Sequence, residues 1–399
     1  VKLVSILDVT EKVDTWHPAK QTPEGEFSYV DLSSVDQSQK KISGYNRVIG
    51  SNAPSRARQL IRAEDILVST VRPNLNGVAK VPVELHDATA STGFCVLRAK
   101  PEMLDADYLF NWVKSGSFVR EMIKHSTGAN YPAVADRTVR NSEIPIPFKN
   151  GKPDLSEQKR IAAILDKADG IRRKRREALQ LADDFLRSCF LDMFGNSALK
   201  PKATKFVKMK EVGEIQLGRQ RAPKYQTGKW TYPYMRVANV RENRIDTSDV
   251  LSMDFSPSDF SRYLLQPGDI LLNEGQSTEL VGRPAIWRNE IANCCFQNTL
   301  VRFRVYKGIA TPEYALFVFL HYLWFGKFAS VSSKTSSIAH LGSARFSEMP
   351  FPLVDYNQQV FFSRLCESTM EIKQRLTIQA ESTSDLFASL QQRAFKGEL

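Results

Sequence analysis

Cysteine is scarce in this chain and nowhere arranged as a Cys-x-x-Cys pair. The five residues Cys95, Cys189, Cys294, Cys295 and Cys366 make an odd total, which argues against a disulfide framework. Reduced, structural thiols are expected, the ordinary state of buried free cysteine. Histidine is as sparse: His17, His86, His125, His321 and His340 show no zinc-ligand spacing, so no metal site is expected. No run approaches the ~18 uncharged apolar residues of a membrane-spanning helix. The first residues, VKLVSILDVTEK, lack the apolar core of a signal peptide. A cytoplasmic protein without a membrane partner is therefore expected. Gly228-Lys229 is followed by Trp230 rather than Ser or Thr, and no glycine stands five residues earlier, so a phosphate-binding loop is missing. The Asn-Pro-Pro-aromatic and Asp-Pro-Pro-aromatic motifs of amino-methyltransferases are missing too. Asp154, Glu157 and Lys159 superficially resemble a nuclease metal site, but two carboxylates three residues apart ahead of an apolar series are explained by helix capping.

What the chain does have is basic charge and length. A net charge of +11 and a pI near 9.3 favour polyanionic partners. The 399 residues suffice for two or three domains with separate cores.

Proline is absent from Ser156 to Phe194, and the stretch contains a single glycine, Gly170. Ile161, Ile164, Ala168, Ile171, Arg175, Ala178, Ala182, Phe185 and Cys189 recur alternately three and four apart, the seam of a coiled coil that only Arg175 interrupts. At ~1.5 Å per residue such a helix is roughly 58 Å long and needs a partner helix.

The partner comes from an internal repeat offset by about 205 residues. Phe27–Val35 answers to Tyr232–Val240, and Ala63-Glu-Asp-Ile-Leu-Val68 to Pro267-Gly-Asp-Ile-Leu-Leu272. Asp107-Tyr-Leu-Phe answers to Glu313-Tyr-Ala-Leu-Phe, and Ile144-Pro-Ile-Pro to Met349-Pro-Phe-Pro. The alternating prolines exclude a helix or a central strand and end each globular half. A second long helix then spans about Asn357 to Phe395, with Phe362, Leu365, Thr369, Ile372, Leu376, Thr383, Leu386 and Leu390 as its seam and polar Gln379 within it. An antiparallel pairing of the two would place the globular halves at opposite ends. Strands are expected at 78–83, 93–98, 285–288 and 299–306, and short helices at 106–124 and 312–328.

Two dissimilar globular halves, each closed by a proline-rich strand and followed by a long helix, resemble the specificity subunit of a type I restriction-modification enzyme. The opening Glu157-Gln158-Lys-Arg-Ile161, the Met193-Phe194-Gly195 helix end and the closing Ala394-Phe-Lys-Gly-Glu-Leu399 carry the resemblance, together with the paired Asp-Ile-Leu segments. It covers essentially the whole chain. The second helix departs from the pattern, opening Tyr356-Asn-Gln-Gln359 without the glutamate.

The resemblance implies an α+β protein with a pseudo-twofold internal repeat: two mixed α/β target-recognition domains, 1–150 and 197–355, joined and separated by two long antiparallel coiled-coil helices, 151–196 and 356–399. It further implies a non-catalytic subunit that binds double-stranded DNA, reads one half of a split target with each domain, and docks two methyltransferase subunits and, in the full complex, restriction subunits. Ile161, Ile164, Ala168, Ile171, Ala182, Phe185, Phe362, Leu365, Ile372, Leu376, Leu386 and Leu390 are the candidates for helix pairing and partner docking. No cofactor is expected in this chain; S-adenosylmethionine belongs to the methyltransferase partner, which must flip the target base.

Base readout requires forked or bidentate side chains on loops. The first half offers Arg72, Asn74 and Asn76 in one loop and Asn130 with Tyr131 in another, with Arg56 and Arg58 for phosphates. The second offers Arg219, Gln220, Arg221, Lys224 and Tyr225, then Gln276 and Ser277, then Lys334 and Thr335. Any one of these is also a normal solvated loop residue. The run Arg172-Arg-Lys-Arg-Arg176 is either a solvated helix face or a phosphate or partner contact. Two other classes stay open: a DNA-acting enzyme, nuclease or methyltransferase, and a coiled-coil scaffold without base readout.

Overall fold

A computed structural model of the chain describes residues 1–128, 130–203, 205–222, 226–335 and 338–399. Two helices dominate, Leu155–Phe194 and Tyr356–Lys396. The chain divides into two compact units, Val1–Ala178 with Leu376–Leu399, and Leu179–Arg375.

The first unit carries two four-stranded sheets. One has the order Thr10–Glu11, Phe94–Ala99, Ile66–Ser69, Val78–Lys80, all antiparallel. The other runs Asn46–Ile49, Glu26–Val30, Thr89–Ser91, Ala57–Leu60, with Glu26–Val30 parallel to Thr89–Ser91. The second unit repeats the plan, with Gly213–Leu217, Leu300–Val305, Ile270–Asn273, Pro284–Ile286 in one sheet and Thr231–Met235 parallel to Cys295–Phe296 in another. The proline-rich strands Glu143–Ile146 and Pro350–Leu353 each pair with a single partner, so their missing N–H groups cost no ladder bond on the far side.

The matching motifs are duplicated bonds. Asp65 takes a forked ion pair from Arg98 and accepts the Arg62 N–H; Asp269 does the same with Arg304 and Gln266. Both aspartates are 1% exposed, and breaking one such buried pair leaves a charge uncompensated at ~3–5 kcal/mol. Tyr108 and Tyr314 donate their hydroxyls to the carbonyls of Pro145 and Pro352 at 2.6 and 2.7 Å. Gln158, inside the first long helix, accepts the Asp105 N–H and donates to the Met103 carbonyl; Gln359 accepts the Thr311 N–H and donates to Val354 and Ile309. The Glu-Gln opening is therefore a clasp between the helix and its globular half. Its glutamine is the common part, which is why Gln358 can stand where Glu157 stands.

In each unit the two long helices run in opposite directions. Arg160 reaches the Leu399 carbonyl while Arg175 reaches the Gln379 carbonyl and Thr383. In the second unit Lys373 pairs with Asp183, and Phe190 meets Phe362 edge to face at 5.3 Å. Asp154 caps the first helix through the Glu157 N–H, as its position predicts, but Glu157 turns to Arg160 instead of closing a box.

The seam differs from its sequence reading. Ile171, Phe185, Ile372 and Leu386 are 45%, 48%, 55% and 67% exposed, whereas Leu165, Leu186, Phe190, Cys366, Phe387 and Ala394 are buried. A straight helix drifts by ~20° per heptad against a 3.5-residue repeat, and here each helix end turns its buried face to a globular core. Ile161, Ala162 and Leu165 share a core with Tyr108 and Phe395, and Leu186, Phe190 and Phe194 share one with Tyr314 and Phe362. Ile164, Ala168, Ala182, Leu365, Leu376 and Leu390 are half-buried, and Ile161 and Phe362 are buried as expected.

The other expected elements shorten where capping residues intervene. Residues 106–124 split at Ser115, whose hydroxyl caps Phe118, and 312–328 split at Gly326, φ +66°. The strand expected at 78–83 stops at Lys80, two residues before Pro82.

Candidate nucleic-acid interface

In the first unit the structure joins the two loops that the sequence nominates. The Arg72 N–H donates to the Pro132 carbonyl at 2.7 Å, the Val134 N–H to Thr70, and the Arg72 guanidinium lies 4.8 Å over the Tyr131 ring. Arg72 has φ +50°, a left-handed conformation costing a non-glycine residue ~1–2 kcal/mol, so these cross-loop bonds keep a strained turn in place. Tyr131 is 70% exposed, giving an arginine-backed aromatic face on which a base can stack. Asn74 and Asn130 are exposed beside it.

Asn76 plays a different part. Also left-handed, it donates its amide to the Lys114 carbonyl at 3.4 Å, and its own carbonyl accepts from Lys40. Burial pushes the Lys40 ammonium down to about 8. Asn76 is thus the anchor of the loop rather than a reading group. The Arg56 carbonyl accepts from Thr92, next to Gly93, which in turn accepts from Thr70, so exposed Arg56 belongs to the same edge. Arg58 is half-buried, bonded to the Ala57 carbonyl and to the His17 ring.

The second unit makes the equivalent junction with strands. Gly275–Gln276 pairs with Ile338–His340, which pairs with Ser333–Thr335. Gln276 and Ser277 are half-buried, the Gln276 amide oxygen accepting the Ser277 N–H. Lys334 and Thr335 sit on the last of these strands, while Lys224 and Tyr225 fall outside the described residues.

Arg219 is not available for base contact. Its guanidinium bonds the Asp254 carbonyl and pairs with Asp259 at 2.9 Å, leaving the side chain 13% exposed. Its partners lie 35 and 40 positions away in sequence, so no local pattern announces them. Gln220 and Arg221 remain exposed. The far limb of this loop is tied down by Asp254, a residue that sequence reasoning missed: its carboxylate accepts from the Thr227 N–H and hydroxyl, the Gly228 N–H and the Thr231 hydroxyl. The Thr231 and Thr227 hydroxyls foremost hold its pKa down to about 2.

The basic run on the first long helix is largely engaged within the protein. Arg172 pairs with Asp169 at 2.6 Å and stacks 4.7 Å over Phe387, Arg173 reaches the same carboxylate at 3.7 Å, and Arg175 crosses to the second helix. Lys174 and Arg176 are exposed. Among the described residues no three His, Cys, Asp or Glu side chains gather as a metal site, and no helix is long and apolar enough to cross a membrane.

A family model for the type I restriction modification DNA specificity domain matches residues 8–181. The EcoKI type I restriction enzyme specificity subunit of Escherichia coli (strain K12) is 26% identical over 273 residues, 64% of this chain and 57% of that subunit. The match therefore spans little more than half of that relative. A chain from a solved type I restriction-modification system assembly is 23% identical, with a TM-score of 0.61 over 100% of this chain and 98% of its own. The S subunit of the type I system from M. genitalium gives a TM-score of 0.55 at 14% identity, covering 99% and 96%. The family model stops within the first long helix; the second unit repeats the sheets and clasps of the first. The chain is thus similar in sequence, over residues 8–181, to the type I restriction modification DNA specificity domain, and in fold to the solved type I chains.

Proposed function

We propose that this chain reads a bipartite double-stranded DNA target, one half with each globular half, and assembles two methyltransferase subunits and restriction subunits around itself without performing chemistry. The observation that supports the reading is the approach of two nominated segments in each unit: Arg72 to Tyr131 in the first, and Gly275–Gln276 to Ile338–His340, the hairpin partner of Ser333–Thr335, in the second. The first junction combines a rigid backbone bridge with exposed guanidinium, amide and aromatic groups, and the second sets a half-buried amide on a backbone bridge, both suited to base recognition. Specificity is assigned to Asn74, Asn130, Tyr131, Gln220, Arg221 and their neighbours, and phosphate contact to Arg56, Lys174 and Arg176.

Ile171 and Leu386 in the first unit, and Phe185 and Ile372 in the second, are excluded from the seam and supply docking residues in each unit. Four large apolar side chains exposed on two helices are what partner helices cover by ridge-into-groove packing. Exchanging residues 1–150 for the corresponding domain of another specificity subunit, followed by methylome sequencing of cells carrying the cognate methyltransferase, tests the reading. One half of the methylated motif should change and the other persist. An unchanged motif would leave a scaffold without base readout.

A further inference from the structure

The first unit contains a groove of about 550 Å³ between the end of the second long helix and the helix Gly116–Lys124. Trp112 and Phe395, edge to face at 4.9 Å, form its floor, and the charged side chains that line it, Arg120 and Lys396, are both basic. Trp112 is 9% exposed, and its indole N–H has no hydrogen-bond partner among the described residues. The Ser115 hydroxyl caps the Phe118 N–H, leaving the preceding turn of the helix facing the groove with its positive end.

The internal repeat shows how such a groove is filled. Aligning Tyr108 with Tyr314, which make the same bond to the proline-rich strand, sets His321 in the place of Ser115 and Phe194 in the place of Phe395. In the second unit that place is covered by the chain itself. The Ser197 N–H donates to His321 Nδ1 at 3.1 Å, Ser197 is 4% exposed, and Ala198 packs on the core. In the first unit the residues after the helix go elsewhere: Arg393 takes the Glu398 carbonyl and Arg160 the Leu399 carbonyl. Neither Glu398 nor Leu399 lines the groove.

We propose that the groove receives an extended acidic segment of a methyltransferase subunit, lying as Ser197 and Ala198 lie in the second unit. The carboxylates of the segment meet Arg120 and Lys396 above the apolar floor. The apolar floor suits a peptide better than a DNA phosphate. This assignment rests on the function proposed above and adds to it a specific, asymmetric contact that the second unit lacks.

The test uses the full chain copurified with its cognate methyltransferase subunit, with a photo-crosslinking residue at Ser117 or Gln392. Crosslinks should map to an acidic segment of that subunit. R120E and K396E should each weaken subunit association about tenfold, with R120K retaining wild-type affinity. Crosslinking to DNA, to a non-acidic segment or to nothing, in a complex that still forms with unchanged affinity, would overturn the assignment and spare the proposed function. Failure of the wild-type chain to associate with the subunit at all would overturn both.

Discussion

Replacing Gln158 with methionine keeps the volume of a fully buried side chain and deletes its two bonds. The Asp105 N–H and the Met103 carbonyl, both on half-buried residues, then lose that partner. Each unsatisfied group costs ~1–3 kcal/mol, so Q158M should destabilise the first unit by about 2–6 kcal/mol, a large share of a typical ~5–15 kcal/mol. Q359M should do the same to the second unit, where the Thr311 N–H and the Val354 and Ile309 carbonyls lose their partner. A chain of two units need not unfold in one step, so a single midpoint is the wrong measurement. Hydrogen exchange read by mass spectrometry resolves each unit separately. In Q158M, protection across residues 103–113 should fall about thirtyfold or more, the equivalent of ~2 kcal/mol, while residues 309–324 keep theirs. The reverse should hold in Q359M. Equal losses in both units, or none in either, would refute the clasp as the unit-specific tie between helix and globular half.

Neutralising all five residues from Arg172 to Arg176 should flatten the logarithmic salt dependence of DNA binding by at most ~1.8, because only Lys174 and Arg176 are left over from internal pairing and each phosphate contact contributes ~0.9; a decrease of ~4.5 would show that the internal pairs open on DNA. Burial lowers the pKa of His321 to about 4, below its ordinary 6.5, so the unfolded chain binds a proton that the folded one refuses. The stability of the second unit should be complete above pH 6.5 and fall by about 3 kcal/mol as pH drops to 4, and urea titrations of H321L should lose that slope. D254A should release the 217–229 loop from its anchor and raise exchange at residues 226–231, weakening DNA binding without disturbing the first unit; unchanged exchange would contradict the anchoring role.

The repeat was legible because its matching residues are the ones that fasten each unit. Asp65 and Asp269, Tyr108 and Tyr314, and Gln158 and Gln359 recur since each makes a buried bond that no other residue type at that position satisfies. The seam was legible only in outline. A heptad count treats the helix as if it faced another helix throughout, whereas both ends of these helices also face a sheet-and-helix core. That second demand moves burial from Phe185 to Leu186 and from Leu386 to Phe387, one position in each copy. The same change of partner, seen twice in the repeat, is what turns the displaced apolar residues from seam members into an outward face.

The loops divide along a similar line. Composition nominates every arginine and amide in them alike, but long-range partners sort the set: Asn76 is claimed by Lys114 and Lys40, and Arg219 by Asp254 and Asp259. What remains outside, Asn74, Asn130, Tyr131, Gln220 and Arg221, is exposed and bears little of the loop's folding energy. An anchor that fixes the backbone and a tip that is free to vary are different requirements, and separating them would let one frame carry the two dissimilar reading surfaces proposed above. Substitutions at those five positions should therefore alter which bases are read while leaving each unit's stability within ~0.5 kcal/mol, and changes at Asn76 or Arg219 should do the opposite.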